Sequence, residues 1–160
     1  MNERLERLTA PKAPAAAMLI RLMVGGVFLT EGIQKFLHPA ALGVGRFAKI
    51  GIPAPELMAP FVGGVETICG GLLLLGLFTR LAAIPLVATM LVAIFTTKIP
   101  ILLGHGYLGF QVRELSRYGF LSMTHEMRTD WAMLLGSIFL IVVGPDRLTL
   151  DARFHRRAAP

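Results

Sequence analysis

From Leu57 to Thr97 the chain reads LMAPFVGGVETICGGLLLLGLFTRLAAIPLVATMLVAIFTT, and Glu66 and Arg80 are the only charged side chains in it. No other feature restricts the fold so strongly. A bilayer core about 30 Å thick takes roughly 20 apolar helical residues per crossing, and lipid leaves the backbone to satisfy its own hydrogen bonds, which helices do. Only Thr79 and Arg80 part the two halves of the run, so spans two and three form an antiparallel hairpin. A first run lies at Ala15 to Phe36, and a last one at Trp131 to Gly144 ends on the stop signal Gly144-Pro145. With 54% hydrophobic and 16% charged residues in 160, the composition excludes an ordinary soluble domain. The predicted fold is all-α: a four-transmembrane-helix antiparallel bundle with a long outer loop between helices 3 and 4. It forms a single membrane domain over residues 1–160, with spans at about 15–36, 57–78, 81–98 and 126–144.

The basic N-terminus precedes an apolar run longer than a secretory signal and without a clear cleavage site, so the first span is expected to be retained. The formal charge of +6 comes from basic residues scattered along the flanks of the spans, which suits a membrane protein and gives no reason to expect nucleic acid. Cys69 is the single cysteine, so the paired thiols of disulfide-exchange chemistry are missing. Placing both ends of an even-numbered bundle on one side puts Arg4, Arg7, Lys12, Arg21, Arg80, Arg147, Arg153, Arg156 and Arg157 together there. Lys35, Arg46, Lys49, Lys98, Arg113, Arg117 and Arg128 fall on the other. The positive-inside rule then predicts a multi-pass protein of the inner (cytoplasmic) membrane with both termini cytoplasmic.

Two outer loops follow. LHPAALGVGRFAKIGIPAPE carries glycine and proline breaks, with Phe47 and Ile50 suited to the interface. The second, from Ile99 to about Thr124, sets Tyr107, Phe110, Tyr118 and Phe120 among Arg113 and Arg117, a mixture suited to the headgroup layer. It is expected to cap the outer end of the bundle; the alternative is a mobile surface loop.

The sequence HEMRTDW, His125 to Trp131, abuts the fourth apolar run. That run alone makes a helix of only about 21 Å, short of the hydrocarbon layer. Starting the helix nearer His125 corrects this and sets Glu126, Asp130, Met133, Ser137 and Ile141 on one inward face. Alternatively, Thr129 or Asp130 caps the helix at the water boundary. In the first span Arg21, Gly25, Phe28, Gly32 and Lys35 form one stripe by their three-and-four spacing, with glycines that admit a close neighbour. Glu31 lies one turn before Lys35 and can pair with it. Glu66 is the most anomalous residue, about 13 Å along the second span. A carboxylate there stays protonated or is held ionised by a cation such as Lys35; it marks a functional site by default, or else a polar lock between helices. At the opposite face Arg21, Arg80 and Arg147, with Asp146 and Asp151, read as solvated cytoplasmic anchors. No metal cluster stands out; His105 and His125, in or beside the outer loop, are the one weak alternative.

Arg21, Gly25, Gly32, Lys35, the GIP at Gly51 to Pro53, Glu66 with its glycines, LLGLFTR from Leu74 to Arg80, and GPDRLTLD from Gly144 to Asp151 together resemble the DoxX family of small four-helix membrane proteins. The similarity runs from about Ala15 to Asp151. It departs from the family's usual terminal turn at Asp146, where a glycine is usual, and in a longer, more charged segment from Lys98 to Asp130. The resemblance implies membrane-associated redox chemistry, as in a subunit of a thiosulfate:quinone oxidoreductase or beside superoxide-handling or thiol-handling partners.

Three functions are compatible with these residues. The first is a quinone-linked subunit of a membrane complex, with Lys35 and Glu66, joined by Glu126 or Asp130, exchanging protons or hydrogen bonds with a headgroup while a partner supplies electrons. The second is a non-catalytic accessory subunit that scaffolds a larger assembly. The third, a proton-coupled carrier, lacks the broken-helix repeats of transporters. No covalently bound cofactor is expected; quinone is the candidate ligand, and lipid plus other subunits or a second copy are the candidate partners.

Overall fold

The computed structural model describes residues 13–153. Arg4, Arg7, Lys12, Arg156 and Arg157 of the charge count lie outside the described residues. The elements are α1 (Ala17–Leu37), α2 (Val44–Ile50), α3 (Pro55–Leu75), α4 (Thr79–Ala93), a π-helical turn (Ile94–Lys98), α5 (Ile99–Leu103) and α6 (Phe120–Val143). Among the described residues the architecture is all-helical, without a named strand. Among the described residues three helices are long and apolar enough to cross a membrane: α1, α3 and the continuous Thr79–Leu103. The 24 residues of α6 would also reach across, at about 36 Å, but HEMRTDW makes its first half too polar for that class.

The direction of each helix follows from side-chain bonds at its ends. Arg21, at the start of α1, donates to the carbonyls of Leu73 and Leu74 at the end of α3, so these two run antiparallel. Arg80, at the start of α4, reaches Val142 and Val143 at the end of α6, and α4 and α6 are antiparallel too. Gly76 (φ +68°) and Phe78 (φ +49°) make the tight turn between α3 and α4. The core gathers Val24 and Phe28 from α1, Leu73 from α3, Leu86 and Met90 from α4, and Met133, Leu134 and Leu140 from α6. Leu19, Phe61, Ile68, Leu91 and Val142 point outward, all more than half exposed. Such a belt belongs against acyl chains, where helices associate through close packing rather than a hydrophobic drive.

Helix bounds differ from the predicted spans at two places. The third helix passes Lys98 and Pro100 and ends at Leu103. Within the π turn the Ile99 N–H bonds the Ile94 carbonyl, which shifts the register so that Pro100 falls in the first turn of α5, where its missing N–H costs least. The last helix begins at Phe120, after Gly119 (φ +102°), well ahead of the expected 126. The connection between the third and fourth long helices therefore spans 104–119. Within it Tyr107 and Phe110 exchange backbone hydrogen bonds of 2.9 Å, and both rings pack edge-on against Phe95 at 5.9 and 6.1 Å. Gln111 N–H donates to the Ile50 carbonyl, and Gly51 (φ +88°) gives the room, because a Cβ there would strike the Gly109 carbonyl.

The expected solvated anchors are corrected. Arg21 (3% exposed), Asp146 (1%) and Asp151 (4%) are buried; Arg147 alone of the anchor set is exposed. The terminal GPDRLTLD folds back over the α3–α4 turn, and Asp146 accepts from Arg21 Nε at 3.1 Å and from the Leu148 N–H at 2.7 Å. The physical cause is the last turn of α3, whose carbonyls have no partner within the helix and draw the guanidinium inward. Asp151 in turn accepts from the N–H groups of Phe78 and Thr79 at 3.1 and 3.4 Å, capping α4 from a distance. Asp151→Ala is expected to cost about 0.5–2 kcal/mol, the range for lost caps, seen as a lower melting midpoint in detergent with helix content unchanged.

Candidate functional site

Lys35 sits on the last turn of α1, and its ammonium donates to the Glu66 carboxylate of α3 at 2.5 Å. The Glu31 carboxylate, one turn earlier, stands 4.0 Å from the same ammonium, and the Glu31 carbonyl accepts from it at 3.4 Å. Glu66 is 3% exposed and the Lys35 side chain 12%, while Glu31 is open to its surroundings. Arg46 on α2 is the further cation acting on Glu66. In the sequence Arg46 stands only among loop charges.

The pair can form because the α1 and α3 backbones nearly touch. A Cβ on Gly32 would stand 2.7 Å from the Gly63 carbonyl oxygen, and one on Gly70 2.5 Å from the Leu29 nitrogen. The stripe of Arg21, Gly25, Phe28 and Gly32 is the buried face of α1, ending on Lys35. On α3 the buried face is Ala59, Gly63, Glu66, Gly70 and Leu73. Gly71 instead faces open space.

The other candidates go elsewhere. Asp130 lies in the third turn of α6, so it does not cap that helix, and it pairs with Lys98 at 3.0 Å. By sequence Lys98 marks a helix end and gives no sign of this partner, for a reason of helical phase. Counting from the buried Met90, position 97 returns to the inner face and 98 lies about 80° away. The extra residue of the π turn moves Lys98 into that place, leaving it 9% exposed.

Met133 and Ser137 are buried on the expected face of α6, and Ile141 packs at the edge of the core. Glu126 pairs with Arg113 at 3.2 Å, but the Arg113 side chain is 73% exposed, and such pairs contribute little. His105 and His125 are both exposed; His125 lines an open groove of about 410 Å³ with Arg117, Ser122 and Glu126. Among the described residues no three His, Cys, Asp or Glu side chains converge as a metal would require.

The arrangement therefore holds two enclosed lysine–carboxylate pairs at one end of the bundle and an arginine–aspartate network at the other. An enclosed lysine donates hydrogen bonds to a headgroup oxygen, and its carboxylate partner accepts or returns a proton.

The family model of DoxX matches residues 16–99. An uncharacterized membrane protein of Mycobacterium tuberculosis, Rv3486, is 50% identical over 152 residues, covering 95% of this chain and 89% of that protein. The Bacillus subtilis protein named "Putative oxidoreductase CatD" is 28% identical over 134 residues, covering 84% of this chain and 83% of that protein. No solved structure matches the chain. With the family model on more than half of its length and a half-identical relative along nearly all of it, the chain belongs to the DoxX family of membrane proteins.

Proposed function

We propose that this protein is a quinone-linked, redox-associated subunit of a complex in the cytoplasmic membrane. It crosses the bilayer four times, α6 being the fourth span, with both termini cytoplasmic and the 104–119 connection lying over the outer end. The observation that carries this reading is the Lys35–Glu66 pair, charged groups enclosed between apolar helices where charge is costly and is kept for use. Lys35 donates to a headgroup carbonyl, Glu66 exchanges a proton at a headgroup oxygen, and Glu31 and Arg46 set the local field. A partner subunit supplies the electrons. The likeness to a Bacillus subtilis protein named an oxidoreductase supports the redox side of the reading.

Gentle purification followed by organic extraction tests it. Quinone recovered in near-equimolar amount is the expected result. Copurifying subunits with no lipophilic ligand would replace this reading with that of a non-catalytic accessory subunit.

A further inference from the structure

The two halves of the chain are built to one plan. In the first, Arg21 near the start of α1 donates to the final carbonyls of α3, and Lys35 near its end meets Glu66. In the second, Arg80 near the start of α4 donates to the final carbonyls of α6 at 3.4 Å, and Lys98 toward the end of the same long helix meets Asp130. Lys35 and Glu66 are 31 residues apart; Lys98 and Asp130 are one residue further apart. In each half the two long helices pack chiefly on one another. Both lysines stand two turns or so beyond the last core residue of their helices, Phe28 and Met90, about 10–12 Å along the axis. Parallel repeats of this kind relate by an axis along the membrane normal and place equivalent groups at one depth.

The second pair is not a lysine snorkelling at a helix end. Its side chain is 11% exposed and that of Asp130 22%, and a π turn has been spent to bring it inward. Such turns concentrate at functional sites because they re-aim one residue at the expense of regular hydrogen bonding. The hydroxyls of Thr96 and Thr97 donate back to the carbonyls of Val92 and Ala93, which supports the distorted stretch.

We propose that Lys98 and Asp130 form a second polar headgroup site, the counterpart of Lys35–Glu66 in the second half of a duplicated helix pair. It takes the same class of ligand: an amphiphile whose ring carries opposed oxygens that accept hydrogen bonds when oxidised and donate them when reduced, as a quinone does. This inference rests on the quinone-linked reading above and adds a site to it.

Trp131, the one tryptophan of the chain, adjoins Asp130 and reports on it. Titrating the purified protein with a short-chain naphthoquinone should quench its fluorescence saturably. Asp130→Asn and Lys98→Met should each weaken that quenching at least tenfold. The charge swap, Lys98→Asp with Asp130→Lys, separates site from pin: it should return the melting midpoint to within a few degrees of wild type without restoring the quenching. Overturning results are a swap that restores both, single variants that quench like wild type, or loss of the fold in both Asp130→Asn and the swap. If Glu66→Gln releases extractable quinone while the tryptophan never responds, only this second site fails. If wild-type protein binds no quinone by either readout, the underlying reading fails with it.

Discussion

Asp146→Ala should lower stability by about 3–5 kcal/mol, the range for stranding one partner of a buried ion pair. Arg21 would keep its bonds to Leu73 and Leu74 at 2.8 and 2.9 Å but lose the carboxylate that neutralises it in a site where neither side chain is more than 4% exposed. Asp146 also holds the Leu148 N–H and starts the segment whose Asp151 caps α4, so its loss loosens the last turn of α3 and the first of α4 together. A double variant, Arg21→Met with Asp146→Ala, should recover part of the deficit, because the uncompensated charge disappears. Thermal denaturation in one detergent across the four proteins of this cycle measures the coupling; simple additivity would show that the two side chains do not act as a pair.

Gly32→Leu should prevent α1 and α3 from closing. Even a methyl group at this position stands 2.6 Å from the Thr67 nitrogen and 2.7 Å from the Gly63 oxygen, and backbone cannot rotate away as a side chain can. Overpacking of a filled core typically costs about 1–3 kcal/mol, and the longer side chain here has backbone in its way, so the protein is expected to aggregate on extraction. Gly26→Leu is the control. It lies nearly two turns earlier on α1, and a Cβ there meets nothing within 4 Å, so it should purify as a monodisperse species with a near-native melting midpoint. Size-exclusion profiles of the two variants decide the matter; equal behaviour would mean that the interlocked glycines do not set the helix spacing.

Local periodicity made much of this arrangement legible. The α1 stripe from Arg21 to Lys35 follows from three-and-four spacing, and the charge of Glu66 inside an apolar run singles it out, with Lys35 as the cation that can hold it. What stayed hidden is nonlocal or breaks the period. Arg21 and Asp146 are 125 residues apart, and nothing near either one signals that the terminal segment folds back to bury both. Lys98 lies out of phase in a regular helix, and only the π turn aims it at Asp130. Glu126 and Asp130 share a face of α6 as their spacing requires, yet they meet Arg113 and Lys98 rather than Lys35, because a shared face fixes direction and not the neighbour found there. The early start of α6 was obscured because its first turns carry charge, and an apolar-run criterion discards them.

On the proposed reading, the enclosed lysine–carboxylate pairs serve a ligand and are more than a fastening between helices. Quinone content per protein, measured in Glu66→Gln and wild type after identical purification and alongside their melting midpoints, addresses it most directly. The expected result is a folded variant, melting within a few degrees of wild type, whose extract has lost most of the quinone. A variant that melts far lower, or one that keeps its quinone in full, would contradict it.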